Sequence, residues 1–555
     1  MLISLHLMTP KQPLSGFALC AACLAIFIVT SRAAAPVETT DVCVYGATPA
    51  GIVAAVAARQ EGCTVLLIEP SRWLGGILGA GLKPTQDCPE PRAVGGLTKS
   101  VIFTFQENPA AIREALAAWL KREGIPVCYE HRVARVEKDG TAITRLHLEF
   151  APPDARGVPA TAARPGAGRV IAAKVFIDAS YEGDVMAGAG VRYMIGREPR
   201  DRFNEKPAGV NPPTNWTPLD PFVRPGEPDS GLLPLVEADH GKPSGAGDDY
   251  TQAYNFRFYV TEDPAKRAPF TRPENYSPAQ FELVGRFVAQ IVKESSGDPK
   301  LLQARLTGIF PGWKNRGEYN YERKSLVTIA PLGRSRHYQD GDWATRAQIW
   351  REHIDYLSGL HEFMSTDARV PETFRRQTAA LGLDRTMHPY TEGWPNQLYV
   401  RITRRMAGAY VLTHADVLNQ TQISDGVGLA LYGVDTYPAR RFAVRQRQSG
   451  QWGVATEGNM FLGGARGTNH PYPMPYRAIV PKVAECSNLI VPVCFSASYI
   501  AYASARMEPV FCVLGESAGV AAVQALRDSI AVQQIDITRL QHRLRARGQI
   551  LEWKP

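Results

Sequence analysis

Six residues, Gly46-Ala-Thr-Pro-Ala-Gly51, join the apolar run 41–45 to an alanine-rich stretch, 50–60, that ends just before Gly62. The run predicts a short strand. The stretch predicts a helix, with Gly62 where glycine commonly terminates one. Thr64-Val-Leu-Leu-Ile-Glu69 follows and is apolar up to its last residue, the pattern of a strand buried in a parallel sheet. Strand, tight turn, helix and return strand, in that order, predict an α/β fold.

The same loop carries chemistry. Gly46 permits the tight turn, Pro49 has no amide to lose in the first helical turn, and Gly51 lets helix and strand approach. Amides exposed at the helix start, at the positive end of its dipole, attract a pyrophosphate. Glu69 ends the second strand 18 residues after Gly51, where a carboxylate accepts bonds from ribose hydroxyls. Thr48 occupies the place of a second glycine, and its hydroxyl is a further candidate donor to phosphate. Gly46, Thr48, Pro49, Ala50, Gly51 and Glu69 therefore read as a dinucleotide site.

Just past Glu69, Arg72-Trp-Leu-Gly75-Gly76 and then Gly79 and Gly81 form a second glycine-rich turn. It suits FAD, whose pyrophosphate-ribityl-flavin chain runs on beyond the first loop. Val175-Phe-Ile-Asp178 is another strand ending in an acid, and Asp178 and Asp184 are candidate ribityl contacts. Asp178 is equally suited to capping a helix.

Together, Tyr45-Gly-Ala-Thr-Pro-Ala-Gly51, the Gly75-Gly76 turn and Ile177-Asp-Ala-Ser-Tyr-Glu-Gly-Asp184 resemble the FAD-dependent oxidoreductases of the glutathione-reductase-like superfamily. The nearest group is a secreted bacterial branch whose members are sometimes labelled xanthan lyases. Similar segments occur at 398–405, 410–413, 475–477, 488–494, 496–498 and 506–509, and at Gly515-Glu-Ser-Ala-Gly519. The resemblance implies a Rossmann-type FAD-binding domain with an inserted α+β substrate domain. It implies that Gly46, Thr48, Gly51, Glu69, Gly76 and Asp184 line the FAD path and that Gly515 and Gly519 belong to the cofactor site. Ser498 and the helix beginning near Arg506 would approach the isoalloxazine, whose reduced form carries negative charge that a helix N-terminus favours. The chain departs from the family pattern at Ile402, where an acid is expected, and at Tyr437, where histidine is expected.

The expected division is a signal peptide at 1–35, FAD-binding parts at 36–195 and 456–530, an inserted domain at 196–455 and a terminal helix at 531–555. Within it, 109–123 reads as a helix, 127–150 as a β-meander turning at Asp139-Gly140, and 488–494 as a strand. Residues 506–526 read as a helix broken or capped near Gly515. In the first 35 residues Lys11 is the only Lys, Arg, Asp or Glu before Arg32, and an apolar run at 16–29 precedes small residues at 31–35. That run is short for a membrane span. Export to the periplasm or beyond, with no stable span after cleavage, is the expectation.

Composition closes other routes. The 555 residues are 45% hydrophobic and 21% charged, which excludes wholesale disorder. The 62 basic and 54 acidic residues are spread without a basic run, so nucleic acid is not an expected partner. Seven scattered cysteines beyond the leader do not make a disulfide framework. The histidines lack metal-site spacing, and no metal is expected.

For catalysis, His388 and His470 are candidate bases, and Arg401, with Arg404 and Arg405, is a candidate clamp for an acidic substrate. Surface charge or neutralisation of FAD phosphate would account for the arginines equally. Substrates in range are sugars, hydroxy acids and unsaturated acids. No second nucleotide loop occurs, so the expected electron partner is a quinone, a small redox protein or oxygen. Two rival classes exist. Gly515-Glu-Ser517-Ala-Gly519 fits a hydrolase nucleophile elbow, but the 38 residues after Ser517 hold one histidine, His542, and no sheet to carry it. Trp313, Trp394 and Trp452 would serve a sugar-binding or lyase module, although such residues more often pack in cores.

Overall fold

The computed structural model describes residues 36–105, 107–311, 319–463 and 470–554. The expected leader, Trp313 and most of the loop before His470 lie outside these residues. The chain opens with β1 (Val37–Tyr45), α1 (Pro49–Gln60) and β2 (Val65–Glu69), the predicted strand-turn-helix-strand. Next come α2 (Pro109–Arg122), β3 (Val127–Tyr129), β4 (His131–Asp139), β5 (Ala142–Phe150) and β6 (Arg169–Asp178). Asn108 caps α2 through bonds from Ala110 N and Ala111 N at 2.9 and 3.2 Å.

The sheet runs β3-β2-β1-β6-β5-β4. β1 lies between two parallel neighbours, so its inner end, Val42–Tyr45, is buried. The expected meander is corrected here. Only β4 and β5 form a hairpin, whereas β3 adds in parallel to β2 and the chain reverses at Glu130 (φ +59°). Alternation along 127–150 cannot tell a neighbour of β4 from a neighbour of β2.

β6 shares out its far edge. Its first half pairs antiparallel with β5, and Phe176 and Ile177 pair in parallel with β7 (Leu489–Ile490). The strand expected at 488–494 is thus two residues long, because Pro492 has no amide to continue a ladder. After it come α3 (Tyr499–Ala505), α4 (Glu508–Asp528) and α5 (Ile537–Ala546).

α4 is continuous through Gly515, contrary to the expected break. Its two internal glycines lie on α1: a Cβ on Gly515 would overlap Ala50 O, and one on Gly519 would overlap Ala54 O. Gly515 and Gly519 are therefore close-packing positions and not direct cofactor contacts. α4 is long and apolar enough to cross a bilayer, yet 89% of its apolar window is buried inside the protein.

Residues 196–248 form a mostly irregular connection, as their Pro and Gly content predicts. Strand Thr214–Thr217 pairs with Trp452–Glu457, which pairs with Arg440–Arg445. A long helix, Trp343–Thr366, belongs to the same compact unit, Val37–Pro555, and packs against helix Glu372–Ala380. All seven cysteines of that unit are free and buried.

Candidate cofactor site

β1, β2 and β6 end side by side, with Tyr45 paired to both Ile68 and Asp178. The turns leaving them meet at one sheet edge, where ligands of open α/β sheets bind. Gly46 (φ +94°) makes the first turn, and a Cβ there would lie 2.7 Å from Ser180 N. A Cβ on Gly51 would overlap Gly46 O. Both glycines are thus required by backbone packed on backbone.

Thr48 caps α1. Its Oγ1 accepts from Gly51 N at 3.2 Å and donates to Ala179 O at 2.8 Å. The hydroxyl has one proton, and it is committed to Ala179, so Thr48 does not offer that proton to phosphate. Pro49 has no amide, and Gly51's is capped. The amides of Thr48 and Ala50 have no partner among the described residues and lie at the positive end of α1.

Glu69 accepts from Ala47 N at 2.7 Å with one oxygen, and from Ser71 N and Oγ at 2.9 and 2.6 Å with the other. Burial pushes its carboxyl up against these bonds. Gly75 N donates to Ala47 O at 2.8 Å, tying the second glycine turn to the first. A Cβ on Gly76 (φ +46°) would come within 2.5 Å of Tyr181 Oη. Arg72 stays at the rim, bonded to Glu130 and Pro153 O, each at 2.8 Å.

Gly46, Thr48, Glu69 and Ser180 face Trp343, Trp350 and Asn396 across a cavity of about 70 Å³. At about 30 Å³ per water molecule in the liquid, that space is far smaller than a dinucleotide. Trp350 Nε1 is buried on the tryptophan wall without a partner. The free amides, the carboxylate and this indole form a donor and acceptor set that fits a diphosphate and a ribose.

Two expected ribityl contacts are otherwise engaged. Asp178 accepts from Ser180 N, Ser180 Oγ and Met186 N at 3.1, 2.7 and 2.9 Å, so it braces its own turn. Asp184 is bound by Arg346 at 2.8 and 2.9 Å and by Arg404 at 2.8 Å. Burial alone would raise its carboxyl, but the two guanidiniums hold it at about 2. Between these acids, Tyr181 Oη donates to Glu508 Oε1 at 2.7 Å and accepts from Ile77 N at 3.1 Å. Burial pushes Glu508 up to about 8, and its second oxygen has no partner.

The remaining expected residues divide. Ser498 caps α3, accepting from Ala501 N at 3.1 Å and donating to Glu205 at 2.6 Å. Arg506 lies two residues before Glu508, buried beside Tyr399, Gln252 and Asp435. Arg401 is buried between the rings of Tyr399 and Tyr437, with 4.3 and 4.0 Å to their centroids. Arg404 and Arg405 are not part of a clamp with it, since Arg404 holds Asp184 and Asp340, and Arg405 is paired with Glu198. His388 lies behind the cavity wall, 3.4 Å from Arg113, which also donates to the wall residue Asn396 at 3.2 Å, and burial and that cation push the imidazole well below its usual range. Such a ring stays neutral and is a weak base. His470 is exposed. Ser517 is fully buried within α4, its single hydroxyl proton shared between Val427 O at 2.8 Å and Val513 O at 3.0 Å, which removes the esterase reading. Trp394 packs against Phe256 and Phe270, and Trp452 against Phe222.

Sequence reasoning missed Tyr181, Glu508 and the Trp343–Trp350 wall. Tyr181 and Glu508 lay in plain view inside the two quoted segments. The wall had no signal, because it comes from a helix far along the chain.

The model of the family described as FAD dependent oxidoreductase matches residues 41–544. No curated protein matches the chain. Among solved structures, a geranylgeranyl bacteriochlorophyll reductase-like protein of Thermoplasma acidophilum is 18% identical over 28% of this chain and 43% of its own, with a TM-score of 0.20. L-proline dehydrogenase from P. horikoshii is 21% identical over 30% and 26%, with a TM-score of 0.18. A myxobacterial chondrochloren halogenase, titled a variant of FAD-dependent halogenases, is 17% identical over 29% and 41%, with a TM-score of 0.21. The chain spans less than half the length of each of these three solved chains. With the family model covering nearly all of the described residues, the chain belongs to the FAD-dependent oxidoreductase family and is an enzyme with FAD as its cofactor.

Proposed function

We propose that the protein is an exported flavoenzyme of the glutathione-reductase-like type that passes a hydride between a small organic substrate and FAD. Its other electron partner is a quinone, a small redox protein or oxygen rather than nicotinamide. The observation that carries this reading is the convergence of unpartnered amides at Thr48 and Ala50 with the Glu69 carboxylate at one sheet edge. When bound, FAD supplies the ring that takes up or releases the hydride.

The protein's own residues hold, orient and exclude water. The two amides and the α1 dipole hold the diphosphate, and Glu69 accepts from the ribose. Trp343 and Trp350 cover the nucleotide. The positive end of α4 stabilises negative charge, and Glu508 Oε2 holds a proton there up to about pH 8. Neither His388 nor His470 is favoured as the base, given the low basicity of one and the exposure of the other.

The apolar run at 16–29 followed by small residues at 31–35 supports a leader at 1–35 and, with it, export and the secreted bacterial branch. The return of β7 to β6 after a long excursion supports an insertion between two FAD-binding parts, with boundaries near 196 and 455. Strand Gly426–Ala430 lies within those bounds yet pairs with Tyr472–Pro475 and belongs with the second part. Anaerobic bleaching of the flavin-loaded protein by a panel of sugars, hydroxy acids and their unsaturated counterparts tests the reading. Bleaching by one class and reoxidation by a quinone, but not by a nicotinamide, is expected; rapid reoxidation by oxidised nicotinamide would overturn it.

A further inference from the structure

Arg401 is a buried cation, 3% exposed, with no carboxylate within 4.0 Å among the described residues. Its terminal nitrogens donate to Ala253 O at 2.6 Å, Asn255 Oδ1 at 2.7 Å and Asn320 Oδ1 at 3.2 Å, all neutral acceptors. Its Nε has no partner. Arg506 is equally buried, and its Nε is also unpartnered; its other nitrogens reach Tyr399 Oη, Gln252 Oε1 and Asp435 O. The fully buried Gln252 uses its oxygen on Tyr437 N and Arg506, which leaves Nε2 without an acceptor.

Three unpartnered donors therefore belong to one cluster whose members touch through Tyr399 and Tyr437. A buried donor left without an acceptor is destabilising. Charge is unbalanced in the same sense. Two carboxylates face the cluster, Asp435, which pairs with Arg323 and lies 3.7 Å from Arg506, and the buried Asp87, against the four guanidiniums of Arg257, Arg323, Arg401 and Arg506. Asn320 connects the cluster to the outside, because it bonds both Arg401 and Tyr437 and lines a cavity of about 950 Å³.

We propose that this cluster is the substrate's anion site and that the substrate is a small carboxylic acid. Its carboxylate accepts from Arg401 Nε, Arg506 Nε and Gln252 Nε2 while the faces of Tyr399 and Tyr437 keep Arg401 in place. A carboxylate offers about four lone-pair sites and one negative charge, which answers both the missing acceptors and the excess of guanidinium. That the bound acid is the redox substrate rests on the flavoenzyme reading: Arg506 stands two residues before Glu508, at the α4 terminus assigned to the flavin.

Calorimetric titration of the flavin-loaded protein with acetate, succinate, acetamide and inorganic phosphate tests the assignment. Saturable binding of acetate or succinate is expected, with acetamide inert and phosphate at least tenfold weaker. Arg401→Gln and the near-isosteric Gln252→Leu should each weaken carboxylate binding at least tenfold, while their visible spectra show that flavin is retained. Absent carboxylate binding, preference for phosphate, or unchanged affinity in a folded Gln252→Leu protein would overturn it. A coloured protein that binds no carboxylate removes this proposal alone, whereas a colourless protein that binds acetate through Arg401 removes the flavoenzyme reading and leaves the anion site.

Discussion

Tyr181 Oη donates to Glu508 Oε1 across 2.7 Å, joining the turn after β6 to the first residue of α4. The bond links two segments 327 residues apart in sequence, and its carboxyl partner is shut away from water. The pair lies beside Gly76, so the second glycine turn, the β6 turn and α4 are held at one point.

That burial has a pH signature. Glu508 keeps its proton up to about pH 8 in the folded protein, whereas the unfolded chain ionises near the ordinary glutamate value. Stability from the neutral form is therefore complete below about pH 4.3 and is lost as pH rises through about 8. Glu182 and Glu205, each pushed by burial to about 7, act in the same direction. Thermal unfolding measured from pH 5 to pH 9 should show Tm falling, with a shallower fall in Glu508→Gln. An equal slope in that variant would contradict the assignment.

Asp184 gives the opposite sign. Held at about 2 by Arg346 and Arg404, it contributes stability that is present above about pH 3.9 and lost as pH falls through 2. Asp184→Asn takes the paired carboxylate from buried Arg346, leaves Arg404 with Asp340 alone, and should cost about 3–5 kcal/mol at neutral pH by denaturant unfolding. A loss under about 1 kcal/mol would show that the arginines find other partners.

Gly515→Ala places a methyl where Ala50 O already stands. Moving α4 off α1 should cost about 1–3 kcal/mol and also weaken FAD binding, because Ala50 belongs to the first turn of α1. Unfolding and flavin retention measured on the same sample should fall together; unchanged retention would separate the crossing from the site.

Ser517→Ala removes a hydroxyl that serves Val427 O and Val513 O, at a cost of about 1 kcal/mol. A serine-directed phosphonate should leave the wild-type protein unlabelled. Labelling at Ser517 would revive the hydrolase class.

The first βαβ unit was legible in sequence because its signals are local: an apolar strand, glycines where backbones meet, Pro49 in the first helical turn and an acid at the strand end. Thr48 looked like a phosphate donor because the sequence hides the carbonyl of Ala179, 131 residues away, that takes its proton. The partners of Asp178 and Asp184 are hidden in the same way, since helix 184–188 and the arginines at 346 and 404 engage them. Gly515 and Gly519 read as a break or an elbow until the helix lying across them is known. Arg401 was visible as a charge, but its isolation from Arg404 and Arg405 depends on tertiary neighbours.

Flavin content per chain, measured by visible absorption after incubation with FAD and removal of the excess, tests the placement of the cofactor most directly. Stoichiometric loading is expected for the native protein, with at least tenfold weaker retention in Gly51→Val, whose side chain would strike Gly46 O, and in Glu69→Ala, which strips the Ala47 amide of its acceptor. A native protein that stays colourless, or two variants that load as fully as it does, would contradict the placement of the cofactor at this sheet edge.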